Sequence, residues 1–308
     1  MPTSGLDEAN GVRPMEAGVV TDWEAMETYW DHAFTHHLRI NTEHCGVVLT
    51  ANLWETKLNK ERIAQSLFES FAVPAIYLCS PPVFELYAAG RENGVVLGSG
   101  ADCTYAVMVH EGLPDPRTLL RGSVAGTVLT THAASVLAGV TGGALDAEAA
   151  EAAKIAVGCV AGAPSSASDV PMSYTLPDGK TIEVPLATRI ALTEPLFDPS
   201  ILRSAAAKGG ASSSGTPAAR VGKGDVESCG LSRLVAECIR LRDRDGVLES
   251  PAIAKDRAAA WYGSVVLGGG STCFAGIEDR LNAELRQFAP KGSPPVRADP
   301  APARPPIG

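Results

Sequence analysis

The chain has 308 residues, 45% of them apolar and 20% charged, with a formal net charge of −9. Length and apolar content suffice for two domains with their own cores, and the acidic balance argues against nucleic-acid binding through a basic surface. The seven cysteines are odd in number and form no CxxC pair, and the chain shows neither a signal-like apolar region at its start nor a membrane-length apolar run, which points to a soluble protein with reduced thiols.

Trp23, Met26, Trp30, Phe34 and Leu38 recur at spacings of three and four, which predicts one amphipathic helix with Asp22 as its N-cap. His32 and His36 fall one turn apart on it, beside His37. No neighbouring Cys or carboxylate completes a metal site, so they read as a partly exposed helix face. A strand over 46–50 follows, then a helix capped by Asn59 that presents Ile63, Leu67 and Phe71 on one face. Residues 75–79 read as a buried strand, and Pro82 suits the first turn of a helix ending near Gly90.

The most informative stretch is 94–112. Two runs of β-forming residues flank Gly98-Ser99-Gly100-Ala101-Asp102, a hairpin whose turn amides can form an anion nest. Beyond it, 126–137 and 146–160 read as helices, and Asp178-Gly179 between two short β-runs is a hairpin signal. Residues 204–226 collapse to small and polar types, a flexible linker. Leu231, Leu234, Val235, Cys238 and Leu241 line the next helix, whose Arg240, Arg242 and Arg244 sit among acids and make no basic patch. A strand over 263–267, a triple-glycine turn and a helix over 277–288 complete the globular part. Alternating strands and helices support an α/β fold.

In this order, 18–27 (GVVTDWEAME), Leu49-Thr50-Ala51, the central hairpin and 266–281 (VLGGGSTCFAGIEDRL) resemble the actin family. So do 71–77 (FAVPAIY), 86–91 (LYAAGR), 174–180 (YTLPDGK) and 227–230 (ESCG). The resemblance runs from about Arg13 to Pro290. It implies an actin-like, ribonuclease-H-like ATPase fold with two halves around a nucleotide cleft. Nothing corresponds to the family's first phosphate hairpin, its small mobile subdomain or its closing helix pair. The fold is therefore expected to be incomplete at both ends, with a Pro-rich tail over 291–308 that cannot build a core. The organisation this implies is a remnant of the first domain at 13–88 and a large-domain core from 89–124 and 227–290. A small subdomain is inserted at 125–203, with the linker at 204–226, and the 247–253 stretch enlarges a loop relative to the family.

The resemblance further implies ATP or ADP with Mg²⁺, held between glycine hairpins whose backbone amides reach the phosphates. The candidate residues of that site are Ser99, Gly100, Asp102, Gly126, Lys154, Gly269, Gly270, Ser271 and Phe274. The departures are pointed. The family's metal-side Asp falls on Gly98 and its next Asp on Ala101, while Asp102 stands where glycine is usual and reads as a structural turn residue. The Gln and His that orient the hydrolytic water fall on Pro81 and Tyr105. A ribose-binding Glu is Ile155, an Arg one turn earlier is Glu151, and the Arg-Asp after Gly126 are Thr127 and Val128.

The expectation is thus an actin-like structural, cytoskeletal or scaffold protein with a degraded nucleotide site, no catalytic residue and no bound metal of its own. It would act in the cytoplasm through other actin-like subunits or actin-binding proteins, with neither nucleic acid nor membrane as a direct partner. Two alternatives keep the family: a truncated ATP-binding actin with slow hydrolysis, and a nuclear actin-related subunit of a larger complex. A sugar-kinase or Hsp70-type reading is disfavoured by the actin-like character of the Trp23, Leu86 and Glu227 segments.

Overall fold

The computed structural model describes residues 13–162, 171–177, 179–202, 229–244, 258–290 and 298–300. The expected linker at 204–226, the enlarged loop at 247–253, Asp178, and most of the 291–308 tail lie outside the described residues. The chain divides into two compact units between Phe84 and Glu85. No described helix is long and apolar enough to cross a membrane.

The first unit opens with a small hairpin, β1 (Met15–Glu16) and β2 (Val19–Val20). Ala17 and Gly18 form its turn with φ of 48° and 77°. Helix α1 (Trp23–His32) starts where expected, with the Asp22 carboxylate accepting from Ala25 N at 3.0 Å. It does not run straight on to Leu38. A π-turn over Ala33–Leu38 follows, ending at Arg39 with φ 53°. The extra residue per turn rotates Leu38 off the apolar stripe, so it is 57% exposed while Trp30 and Phe34 stay buried.

Strands β3 (Val47–Thr50) and β4 (Ile76–Cys79) pair in parallel, connected through α2 (Lys57–Glu69). The N-cap of α2 is Thr56, not Asn59: Thr56 Oγ1 accepts from Asn59 N at 3.1 Å, and the Asn59 amide reaches back to Glu55 at 2.7 Å. Both residue types can cap, three positions apart, and the side chain of Glu55 decides between them. Trp30, Phe34, Ile63 and Leu67 form the core of this unit, with Phe71 set edge-on to both aromatic rings.

The second unit begins within α3 (Pro81–Ala88) and is built on a six-stranded sheet whose strands run in the order Ala298–Pro300, Val265–Gly268, Gly94–Ser99, Thr104–His110 and Leu113–Pro114, with Leu120–Gly122 also paired to Thr104–His110. Strands β5 (Gly94–Ser99) and β6 (Thr104–His110) are the expected central hairpin. Strand β7 spans Leu113–Pro114 and β8 Leu120–Gly122. Strand β11 (Val265–Gly268) lies parallel to β5. Val95, Leu97, Met108, Val265 and Leu267 face one core with α7 (Leu231–Arg244) and α8 (Ile277–Phe288). On the opposite face Val96, Val107, Val109 and Val266 are also fully buried, and Leu86 of α3 closes over Gly94. A sheet covered on both faces explains why these strands read as continuous apolar runs.

Helices α4 (Gly126–Thr141) and α5 (Ala147–Val157) pack with the hairpin β9 (Met172–Thr175) and β10 (Thr181–Val184) around a separate core that includes Leu137, Val157 and Ile182. A short helix α6 (Leu186–Ala191) follows. The Pro-rich tail departs from expectation at one place. Ala298–Pro300 forms strand β12, parallel to β11 with Pro300 opposite Leu267. An edge strand tolerates proline because one side of it has no ladder to complete, so composition alone misjudged this segment.

Candidate functional site

Three turns meet at the ends of β5 and β11: the β5–β6 turn, the start of α4, and the turn Gly270–Thr272 after β11. Glycine makes the approach close enough. Gly126 N donates to Gly100 O at 2.9 Å, and a Cβ on Gly126 would stand 3.1 Å from both Ala101 Cα and Gly100 O. Gly269, with φ +84°, lies against the Ser99 carbonyl and would bring a Cβ within 2.9 Å of Gly100 N. All nine residues expected at the site therefore belong to one neighbourhood of the second unit.

Their polar groups are engaged with one another. Thr104 Oγ1 donates to Val124 O at 2.6 Å, so the 2.8 Å bond between the buried Ser99 and Thr104 hydroxyls has Ser99 as its donor. Ser271 Oγ donates to Gly100 O at 3.4 Å, and Gly100 N closes the hairpin turn onto Cys103 O at 2.9 Å. Asp102 accepts from the Thr127 hydroxyl at 2.9 Å, and Thr127 N donates to Ala101 O at 2.8 Å. These bonds give Asp102 the role of a turn residue that anchors the first turn of α4.

Lys154 is 4% exposed and turned inward. Its Nζ donates to Gly126 O at 3.1 Å and Thr130 Oγ1 at 2.7 Å, with Glu151 3.8 Å away. Burial pulls its pKa below the ordinary lysine value, partly offset by Glu151. Phe274 is buried, its ring against Gly158 at the end of α5, where a Cβ would come within 2.8 Å of the ring. Gly270 differs from its neighbours: nothing lies within 4 Å of where its Cβ would be. Ile155, where the resemblance places a ribose-binding Glu, is 56% exposed, and Val128, where it places an Asp, is 37% exposed.

The sequence reading missed Glu85. From α3 it reaches Tyr105, whose hydroxyl lies 3.4 and 3.5 Å from the two carboxylate oxygens. Burial first, then the Glu85 charge, push the Tyr105 phenol well above its ordinary pKa, so it stays protonated and donates. The Cys103 thiol is likewise pushed up, chiefly by burial, which makes it a poor nucleophile. The sheet register sets Tyr105 across from Gly98, and its hydroxyl there meets a carboxylate twenty residues away on α3. Among the described residues no cluster of three His, Cys, Asp or Glu side chains is arranged to hold a metal ion. In the first unit the His32 ring lies 4.6 Å from that of His36, tilted against it, and 5.1 Å from that of His37, edge-on, between centroids.

Comparison with known proteins identifies the family. The family model described as Actin matches residues 6–143 and 147–304, beyond the 13–290 span read from motifs and into the tail that supplies β12. An actin-like protein of Neurospora crassa is 32% identical over 291 residues, an alignment covering 90% of this chain and 68% of that protein. With an α/β fold of this kind and a match over nearly its whole length, the chain belongs to the actin family.

Proposed function

We propose that this actin-like protein is a structural or scaffold subunit that works through protein–protein contacts and neither binds ATP tightly nor hydrolyses it. One observation carries the reading: the Ser99 and Ser271 hydroxyls donate to Thr104 and Gly100, and the Lys154 ammonium directs two of its three donors to Gly126 and Thr130. A charge-assisted hydrogen bond contributes about 1.5–3 kcal/mol, so a triphosphate without several of them loses most of its affinity. Hydrolysis fares no better. Pro81 offers no side-chain hydrogen bond, and Tyr105 is a protonated, buried phenol with no capacity to take a proton from water.

The outer face of the β3/β4 pair supports the contact role. Val48 and Tyr77 stand opposite each other in register and are 62% and 60% exposed. Parallel strands are ordinarily covered on both faces, and exposed apolar pairs of this kind mark contact surfaces. Other actin-like subunits or actin-binding proteins are the partners of this reading, in a cytoplasmic, cytoskeletal setting. Calorimetry of the purified chain with Mg-ATP tests it. No saturable heat is expected at micromolar concentrations, and a low-micromolar Kd would overturn the reading.

A further inference from the structure

The feature left over from the site is the row of residues across the sheet at its end. Gly268 pairs with Gly98, Gly98 with Tyr105, and Tyr105 with Arg121. Residues directly opposite one another project from the same face. Two consecutive positions in this row have no side chain, and the space they leave is filled from either side. A Cβ on Gly98 would lie 2.5 Å from Tyr105 Cζ and 2.7 Å from its hydroxyl oxygen. A Cβ on Gly268 would collide with both carboxylate oxygens of Glu85. The Tyr105 ring thus lies over Gly98, the Glu85 carboxylate lies over Gly268, and the phenol hydroxyl joins them. Tyr105 is only 6% exposed in this position.

We propose that Tyr105 and Glu85 form a cross-strand plug that closes the strand-end crevice to anionic ligands. The proposal rests on the reading of a weakened nucleotide site and names the side chains responsible. The carboxyl ends of parallel strands are where open α/β sheets take their ligands, and glycine turns with a helix N-terminus favour an anion there. Glu85 sets a negative charge over the last residue of β11, one residue before the Gly269 turn. Tyr105 holds that carboxylate in place and fills the volume that any side chain at position 98 would need. The glycine at 98 and the tyrosine at 105 are therefore one coupled feature. A carboxylate restored at 98 clashes with the ring before it can meet a cation.

The test uses the whole chain with magnesium pyrophosphate as probe. Glu85→Gln keeps the shape and an acceptor for the phenol while removing the charge. Calorimetry should show it binding pyrophosphate about tenfold tighter than the unmodified chain, a factor of ten corresponding to about 1.36 kcal/mol. Gly98→Ala should lower the thermal midpoint by about 5 °C, an overpacking penalty, yet by less than about 2 °C when Tyr105→Ala is already present. Tyr105→Phe, which keeps the ring, should leave the full Gly98→Ala penalty. Equal pyrophosphate affinity in Glu85→Gln and the unmodified chain, or an equal Gly98→Ala penalty in both backgrounds, would overturn the plug and leave the proposed function standing. Tight Mg-ATP binding by the unmodified chain would instead overturn the proposed function.

Discussion

Two adjacent glycines at the turn after β11 separate a position where the fold demands glycine from one where it leaves room for a side chain. Gly269 has φ 84° and ψ 156°, a region essentially confined to glycine, and its Cβ position is occupied by the Ser99 carbonyl with Gly100 N 2.9 Å away. Gly269→Ala therefore meets two costs: about 1–3 kcal/mol for the backbone conformation, and about 1–3 kcal/mol for forcing apart two backbone segments that cannot yield as a flexible side chain would. Taking about 4 kcal/mol together, and 2–4 °C per kcal/mol for a unit of this size, the thermal midpoint should fall by roughly 10 °C. Gly270→Ala is the control. Its φ is not positive, and no atom lies within 4 Å of the new methyl group, so its stability should change by no more than about 0.5 kcal/mol. Urea and thermal unfolding of both purified variants, followed by circular dichroism, give the comparison. If Gly270→Ala is as damaging as Gly269→Ala, or if Gly269→Ala shifts the midpoint by less than about 2 °C, the close-packed turn described above is wrong.

Other outcomes follow from single side chains. Burial lowers the Lys154 pKa, so between that value and the unfolded value near 10.4 the folded state binds fewer protons and stability rises with pH. Urea midpoints of the unmodified chain should climb from pH 8 to 10 more steeply than those of Lys154→Met, and parallel slopes would count against the inward placement of the ammonium. Hydrogen bonds from Arg117, aided by Arg242, hold the Asp115 carboxyl below the usual range, and that side chain is only 15% exposed. This contribution is present above the unfolded value near 3.9 and fades as pH falls through the lower folded value, so Asp115→Asn should flatten the acid limb below about pH 4 and lower stability at neutral pH. Asn52 donates to Gly18 O at 2.6 Å, beside Trp54 Nε1 to Ala17 O at 3.1 Å. Asn52→Ala should cost about 1 kcal/mol and speed amide exchange in the β1–β2 hairpin, while exchange in β5 and β6 stays unchanged.

Most elements were legible because burial imposes a period. The Trp23 stripe, the apolar runs of β5 and β6, and the 277–288 helix carry their pattern in consecutive residues. What escaped depends on something the local pattern does not hold. The π-turn after His32 adds a residue without a composition signal, which is why Leu38 reads as core and is exposed. Thr56 and Asn59 are equally good caps until Glu55 claims the Asn59 amide. Strand β12 is hidden by prolines that only an edge position permits. The direction of Lys154 follows from the packing of α5 on α4, since a long side chain at one helical position can point to solvent or inward.

Glu85 links positions that lie far apart in the chain. The motif comparison marks Gly98 and Tyr105 as two separate losses, a missing acid and a missing histidine, and gives Glu85 no role. In the sheet they are one substitution seen from three places: the ring needs the space a side chain at 98 would take, and the carboxylate needs the space a side chain at 268 would take. The glycines divide on the same physical ground. Gly126 and Gly269 are required by backbones in contact, whatever the site binds, whereas the open Gly270 is not. Where backbones touch, at Gly126 and Gly269, this chain keeps glycine, and at Gly98, Ala101 and Ile155, where the resemblance implies carboxylates, it has none. Glycine matches alone are therefore weak testimony to a bound nucleotide, and the polar positions between them are the ones that report on function.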